Sequence, residues 1–378
     1  MIYLDYNATT PVDDQVISKM LPYFATQFAN AASSHEMGHQ ANDAVEEARS
    51  MVAELVATKR GEVYFTSGAT EANNLALRGI LPQLLPTRQR VLVGTTEHRA
   101  VLDTAHRLRA SGAAVEEVPV SSDGLIDEDS YVAMLDDRVG LVSIMWANNE
   151  TGVIAPIARL AELAHRVGAI FHCDATQAAG KVPLDLRSAG VDLASLSAHK
   201  LYGPKGVGAL YVHRGLHIEA QMSGGGHERG IRSGTLNVPG IVGFGEAARI
   251  AMESIDGDQE RLRSLSSRLV AELRLRIGDV RVIGEGAPRL PNTVNLRMVG
   301  ADSEAVMANA ANVAISSGSA CTALVPEVSH VLLAMGLRPD QAEECLRFSL
   351  GRYTTAQEVD SAALQVADAV RRVRRLTA

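Results

Sequence analysis

The sequence predicts an α/β protein with a mainly parallel seven-stranded sheet, followed by a smaller α+β domain. Short apolar runs of strand length alternate with amphipathic helical segments, as expected when helices pack on a parallel sheet. Two of the runs lead to residues that can do chemistry, a carboxylate at Asp174 and an amine at Lys200. A long helical segment then leads into short strands and helices, which indicates the second domain.

The predicted elements follow from the spacing of apolar residues. Seven strand-like runs occupy residues 63–66, 90–94, 114–118, 141–146, 169–173, 193–196 and 208–212. Helical periodicity predicts helices at residues 41–57, 157–167, 238–275 and 355–376. Two further strands, at residues 292–296 and 347–350, are predicted in the smaller domain.

Composition and charge limit the classes of function. The net charge is -8 and 46% of the residues are apolar, so the chain can pack a core and carries no overall field that attracts nucleic acid. The N-terminus has no signal-peptide pattern, and no apolar run approaches a membrane span. The three cysteines have no zinc-site spacing, so no metal is expected. These features predict a reduced, cytoplasmic protein without membrane or direct nucleic-acid contacts.

Lys200 and Asp174 suggest a particular cofactor. A lysine at the end of a buried strand is costly to desolvate, which lowers its pKa and makes the amine nucleophilic. A pyridoxal phosphate enzyme needs such a lysine, together with an acid paired with the pyridinium nitrogen. The spacing of these two residues is equally compatible with an ordinary strand-end lysine and a capping aspartate.

A series of short motifs decides between these readings. They occur at residues 3–11, 65–71, 96–103, 148–152, 172–177, 197–200, 224–235, 316–322 and 347–352. In this order the chain closely resembles the class-V cysteine desulfurases of the NifS/IscS group. The resemblance implies the fold type I of pyridoxal-phosphate-dependent transferases and a homodimer. It also implies a large cofactor-binding domain of residues 14–250 and a small domain of residues 1–13 and 251–378, which carries a reactive-cysteine loop.

The resemblance also implies roles for individual residues. Ala69, Thr70, Ser197 and His199 would bind the cofactor phosphate, and Thr235 would reach the phosphate of the neighbouring subunit. Lys200 would hold the cofactor, and Asp174 would pair with its ring nitrogen. His98 would stack on the ring and, together with Lys200, transfer protons. Asn149 and Gln177 would contact the ring hydroxyl, and Arg347 would bind the substrate carboxylate, with Asn149 as a second substrate-binding residue.

Cys321 is the predicted sulfur-accepting nucleophile. It lies among serine, glycine and alanine in residues 316–322, a composition that favours an exposed thiol over a packed one. In the family the matching cysteine attacks the sulfur of bound L-cysteine, which gives an enzyme persulfide and alanine. Cys173 and Cys345 fall inside strand-like runs and are predicted to be core residues.

The predicted function is therefore a cysteine desulfurase that passes sulfur to an acceptor protein. The chain departs from the family after Cys321, at Ala323, and ends before the extension with which some members dock an iron–sulfur scaffold. The acceptor could accordingly serve iron–sulfur cluster assembly, tRNA thiolation or DNA sulfur modification. Two other readings stay open: a selenocysteine lyase or another class-V lyase, and a non-catalytic binding subunit of a sulfur-transfer complex.

Overall fold

Strands and helices alternate along the chain, which the computed structural model describes over residues 1–318 and 328–377. The strands are β1 (Ile2–Tyr3), β2 (Val63–Thr66), β3 (Arg90–Gly94), β4 (Ala114–Val118), β5 (Val139–Ser143), β6 (Ile170–Asp174), β7 (Leu193–Ser197), β8 (Gly208–Val212), β9 (Val280–Val282), β10 (Thr293–Met298), β11 (Val313–Ala314) and β12 (Cys345–Ser349). The helices are α1 (Asp14–Met20), α2 (Pro22–Ala25), α3 (Glu36–Leu55), α4 (Ala69–Leu84), α5 (Arg99–Leu108), α6 (Glu128–Met134), α7 (Ile157–Arg166), α8 (Val238–Ile277), α9 (Ser303–Asn309), α10 (His330–Ala334), α11 (Pro339–Ala342) and α12 (Ala356–Thr377).

The main sheet has seven strands in the order β2-β8-β7-β6-β5-β3-β4. All neighbouring pairs are parallel except those made by β8, which is antiparallel to both β2 and β7. The predicted α/β fold with a mainly parallel seven-stranded sheet is thus confirmed. A parallel sheet brings the carboxyl ends of its strands to one edge, where α/β proteins bind their ligands.

Two predicted boundaries were wrong for identifiable reasons. The strand expected at residues 141–146 is β5, which starts earlier and ends at Ser143, because the chain then turns and Ala147 pairs with Ile154 instead. The helix expected from residue 41 starts at Glu36, because the Nδ1 atom of His35 accepts a hydrogen bond of 3.2 Å from the Gly38 amide and caps the helix there. Histidine is an unusual cap, so its presence did not indicate a helix start.

Helices cover both faces of the main sheet, and a second core lies around a smaller sheet. Phe171 and Leu92 are fully buried in the main sheet, and burial of each such side chain contributes about 1.5–3 kcal/mol. The smaller sheet has the order β12-β10-β9, and its core includes Phe348 and Leu346, packed against α12 and the C-terminal half of α8. The division into residues 14–250 and residues 1–13 with 251–378 stays a prediction.

Two kinds of feature are absent from the described residues. Over residues 1–318 and 328–377, no helix combines the length and the apolar character that crossing a membrane requires. Within the same residues, no group of three or more histidine, cysteine, aspartate and glutamate side chains could hold a metal ion. Cys173 and Cys345 are buried, as predicted for core residues.

Candidate active site

The site lies at the carboxyl edge of the main sheet, where β6 and β7 end side by side. Asp174 is the last residue of β6 and Ser197 the last residue of β7, and the register pairs Asp174 with Ser195. A short 3₁₀ turn over Ala198–Lys200 then carries Lys200. The parallel pairing of these two strands therefore brings a carboxylate and an amine, 26 residues apart in sequence, to the same edge.

The Lys200 amine is held by the N-terminal segment of the chain. Its Nζ donates to the backbone carbonyl of Asn7 at 2.5 Å and to that of Ala8 at 2.8 Å. Asn7 itself is 1% exposed and donates through its side-chain amide to Thr293 at 2.9 Å and to the Asn149 carbonyl at 3.1 Å. The segment that holds the amine thus also joins the main sheet to β10.

Both oxygens of Asp174 accept hydrogen bonds. Asn73 donates its side-chain amide to Oδ2 at 2.8 Å, and the Thr176 amide donates to Oδ1 at 3.0 Å. These two donors hold the carboxylate in one orientation. The Oδ1 atom of Asn73 is buried and has no hydrogen-bond partner among the described residues.

One side of the site is suited to an anion. The helix α4 starts at Ala69, and its first N–H groups have no partner within the helix, so this end carries a partial positive charge. Thr70, Ser197 and His199 lie against the same cavity. Burial lowers the pKa of His199 to about 4, helped by the positive charges of Lys200, Lys205 and Lys181. Its ring is therefore neutral at physiological pH and can donate or accept a hydrogen bond there.

Arg347 enters the site from β12 of the smaller sheet. Its guanidinium donates to Asp5 at 2.6 Å and to the Asn149 carbonyl at 3.2 Å. The side chain is 4% exposed, and its Nε has no hydrogen-bond partner among the described residues. A buried N–H group without a partner is costly, so this guanidinium can still bind an anion such as a carboxylate.

The tautomer of His98 follows from its place at the start of α5. Its Nδ1 atom accepts a hydrogen bond of 3.1 Å from the Ala100 amide, which caps the helix. In the neutral ring the proton must therefore be on Nε2. His98 lines the cavity beside the predicted cofactor site.

Glu150 is a buried carboxyl beside the site. Its Oε2 atom accepts a hydrogen bond of 2.6 Å from the Ser329 hydroxyl. A Cβ atom at Gly318 would lie 2.6 Å from the same oxygen, so only glycine fits there, and the φ of +93° at this position also favours glycine. Burial raises the pKa of Glu150 to about 7, although the Ser329 hydroxyl and the charges of Arg347, His98 and Arg99 oppose the shift.

The structure brings most of the predicted site residues to one cavity of about 560 Å³. Those that line it are Ala69, Thr70, His98, Asn149, Asp174, Gln177, Ser197, His199, Lys200 and Arg347. Thr235 is exposed and does not line the cavity, in a segment tied to α4 by the ion pair of Arg232 and Glu71. Cys321 lies outside the described residues, between Gly318, which lines the cavity, and Val328.

Four polar residues in or next to the site were missed by the sequence reasoning. They are Asn7, Asn73, Glu150 and Lys181. Asn73 is one helical turn after Ala69, and Glu150 directly follows Asn149, so their proximity to predicted residues was a usable signal. Lys181 is four residues after Gln177, which it contacts, and Asn7 lies inside the motif at residues 3–11, but the other partners of both residues are far away in the chain.

Three comparisons with known proteins agree on the family. The model of the class-V aminotransferase family matches residues 2–362. A cysteine desulfurase IscS of Anaeromyxobacter sp. (strain Fw109-5) is 49% identical, over 100% of this chain and 94% of the relative. A cysteine desulfurase of Frankia sp. (strain EuIK1) is 50% identical, over 100% of this chain and 93% of the relative. The solved structure of a NifS-like protein superposes with a TM-score of 0.90 at 35% identity, covering 97% of this chain and 98% of that one.

The chain therefore belongs to the class-V aminotransferase family. Within that family it groups with the cysteine desulfurases, which depend on pyridoxal 5'-phosphate.

The residues present fit this cofactor. The cavity contains a primary amine at Lys200, an oriented carboxylate at Asp174 and a helix N-terminus for a phosphate. The Oδ1 atom of Asn73 and the Nε atom of Arg347 are buried and have no hydrogen-bond partner in the described part of the chain, and a bound molecule would supply partners for them.

Proposed function

We propose that this pyridoxal-phosphate-dependent cysteine desulfurase carries sulfur on Cys321 and passes it to an acceptor protein. The proposal depends on one observation: a cavity is lined by Asp174 and Lys200 at the edge of the main sheet and by Arg347 from β12 of the smaller sheet. L-Cysteine is the substrate, and its carboxylate fits the guanidinium of Arg347. The acceptor belongs to iron–sulfur cluster assembly, tRNA thiolation or DNA sulfur modification.

The predicted site residues of the cavity have the following proposed tasks toward the cofactor. Ala69, Thr70, Ser197 and His199 bind the phosphate, and Asp174 keeps the ring nitrogen protonated. Asn149 and Gln177 contact the ring hydroxyl, and His98 stacks on the ring. When bound, pyridoxal phosphate supplies an electron sink that delocalises the charge left on a substrate carbon.

The protein's own residues then move protons and accept sulfur. The amine of Lys200 and the Nε2 atom of His98 transfer protons at the substrate carbons. The Cys321 thiolate attacks the sulfur of L-cysteine, so that a sulfur–sulfur bond forms as the carbon–sulfur bond breaks. The electron pair of the broken carbon–sulfur bond stays with the carbon, which takes up a proton to give alanine. No external oxidant or reductant is needed.

We also propose that the protein is a cytoplasmic homodimer that does not bind nucleic acid directly. Five large apolar side chains between residues 17 and 37 are exposed, which is typical of a surface covered by another chain. They are Ile17, Leu21, Phe24, Phe28 and Met37. The exposed Thr235 supports the same proposal, because it could contact a phosphate only in a neighbouring subunit.

The test is to mix the purified protein with L-cysteine under reducing conditions and quantify alanine, for the wild type and for Cys321→Ala. We expect alanine from the wild type and little from the variant. Equal amounts of alanine from both proteins would show that Cys321 takes no part in the reaction and would favour a lyase. A purified protein that lacks the visible absorption of bound pyridoxal phosphate would instead indicate a non-catalytic binding subunit.

A further inference from the structure

A second lysine, Lys181, lies close to the site, and the proposed chemistry gives it no task. It follows β6 by seven residues and lies beside Lys200 along a small cavity of about 20 Å³. The other titratable groups along this cavity are Asp258, Tyr6 and Tyr202. Lys181 forms no ion pair among the described residues, so a salt bridge does not explain its position.

The hydrogen bonds of Lys181 are both to side-chain amides. Its Nζ is 2.6 Å from Oε1 of Gln177 and 3.0 Å from Oδ1 of Asn7. A lysine nitrogen with its protons can only donate, so the atom of each amide that faces Lys181 must be the oxygen. The contact therefore determines which way the Gln177 amide points.

The other half of the Gln177 amide is consistent with this orientation. Its Nε2 atom donates to the backbone carbonyl of Asn7 at 3.1 Å. That carbonyl oxygen, which also accepts from Lys200, cannot donate, so the amide atom that faces it must be the nitrogen. If the amide were flipped, an oxygen would face the Asn7 carbonyl and an NH₂ group would face Lys181, and both contacts would become repulsive.

The orientation holds in both charge states of Lys181, because the Asn7 carbonyl accepts only from the nitrogen of the Gln177 amide, even where a neutral amine could accept as well as donate. Burial and the positive charges of Lys200 and Arg347 lower the pKa of Lys181 well below its usual value. A neutral amine still has two N–H groups, enough for the two acceptors that it contacts. Lys181 can therefore orient Gln177 without adding a second full positive charge next to Lys200.

We propose that Lys181 is a positioning residue that holds the Gln177 amide with its nitrogen toward the cofactor cavity. This inference rests on the proposed contact between Gln177 and the ring hydroxyl. One N–H of Nε2 donates to Asn7, and the other has no acceptor among the described residues, so it can donate to a ligand in the cavity. Without Lys181 the amide can rotate and present an oxygen to the ring oxygen instead.

The experiment is a double-mutant cycle on cofactor binding with Lys181→Met, Gln177→Met and the double variant. Cofactor-free proteins are titrated with pyridoxal phosphate, and the pH midpoint of the bound cofactor's visible band is recorded. We expect Lys181→Met to weaken binding of pyridoxal phosphate about three- to tenfold, which corresponds to the loss of one hydrogen bond. It should also raise the pH midpoint of the visible band, because the ring oxygen loses a hydrogen-bond donor. In the Gln177→Met background the same change should alter binding less than about twofold.

A further variant, Gln177→Glu, provides a matched control. It keeps an oxygen for Lys181 but replaces Nε2 by a second oxygen, so it should bind the cofactor as poorly as Gln177→Met. Equal weakening by Lys181→Met in both backgrounds would overturn the inference, because Lys181 would then act without Gln177. No weakening in Gln177→Met alone would instead refute the proposed contact of Gln177 with the cofactor. Melting temperatures of the cofactor-free variants identify any that fail to fold.

Discussion

Replacing Glu150 by glutamine should remove a large part of the pH dependence of stability. Burial holds the pKa of this carboxyl at about 7 in the folded protein, against an ordinary value of 4.5. At about 1.4 kcal/mol per pH unit, ionising the buried group costs about 3 kcal/mol of folding free energy. The glutamine side chain is nearly isosteric and can still accept from Ser329, but it never ionises.

The sign of the effect follows from which state holds the proton more tightly. Between pH 4.5 and about 7 the unfolded chain loses the Glu150 proton while the folded protein keeps it. The contribution of Glu150 to stability is therefore fully present below pH 4.5 and is lost as the pH rises through about 7. Above that pH both states are ionised and the cost stays constant.

The assay is urea unfolding of the cofactor-free proteins at pH 5 and pH 8. Glu150→Gln should exceed the wild-type free energy of unfolding by less than about 1 kcal/mol at pH 5 and by up to about 3 kcal/mol at pH 8. The other titrating groups contribute equally to the pH dependence of both proteins, so their contributions cancel in the difference. An exposed glutamate changed in the same way, Glu54→Gln, serves as the control for the loss of one carboxyl group. A change from pH 5 to pH 8 that is the same in wild type and Glu150→Gln, within about 0.5 kcal/mol, would refute the reasoning.

Three further predictions concern the fold, the site and the dimer. Arg49→Met breaks a buried bidentate ion pair with Glu228, of 2.6 and 2.8 Å, and should cost about 3–5 kcal/mol in urea unfolding; a loss below about 1 kcal/mol would contradict it. Asp174→Asn should reduce alanine formation roughly a hundredfold or more with an unchanged circular dichroism spectrum, and near-normal turnover would exclude its proposed role. Changing Phe24 and Phe28 together to glutamate should give a monomer in light scattering, whereas an intact dimer would place the interface elsewhere.

Local patterns predicted the main sheet and the two residues at its carboxyl edge. The strand at residues 90–94 was predicted to the residue, because its apolar run is bounded by a charged residue and a glycine. Asp174 and Lys200 stood out because they follow such runs. The long-range contacts of Glu150 and Lys181 could not be found in this way, although both residues lie close in sequence to predicted ones, because Glu150 contacts a hydroxyl 179 residues away and Lys181 contacts Asn7, 174 residues away. Only the packed chain brings these groups within hydrogen-bond distance.

The hydrogen bonds of Asn7 have a consequence for how the protein is made. Its amide nitrogen binds the Ser349 hydroxyl at 2.9 Å, and its carbonyl binds Lys200, so its partners are 342 and 193 residues further along the chain. A ribosome adds about 5–20 residues per second, so Asn7 waits roughly 17 to 70 seconds for its last partner to be synthesised. During translation the main sheet can form around Lys200 well before β12 has emerged. The cavity is therefore complete only when nearly the whole chain has been synthesised, and a truncated product cannot assemble it.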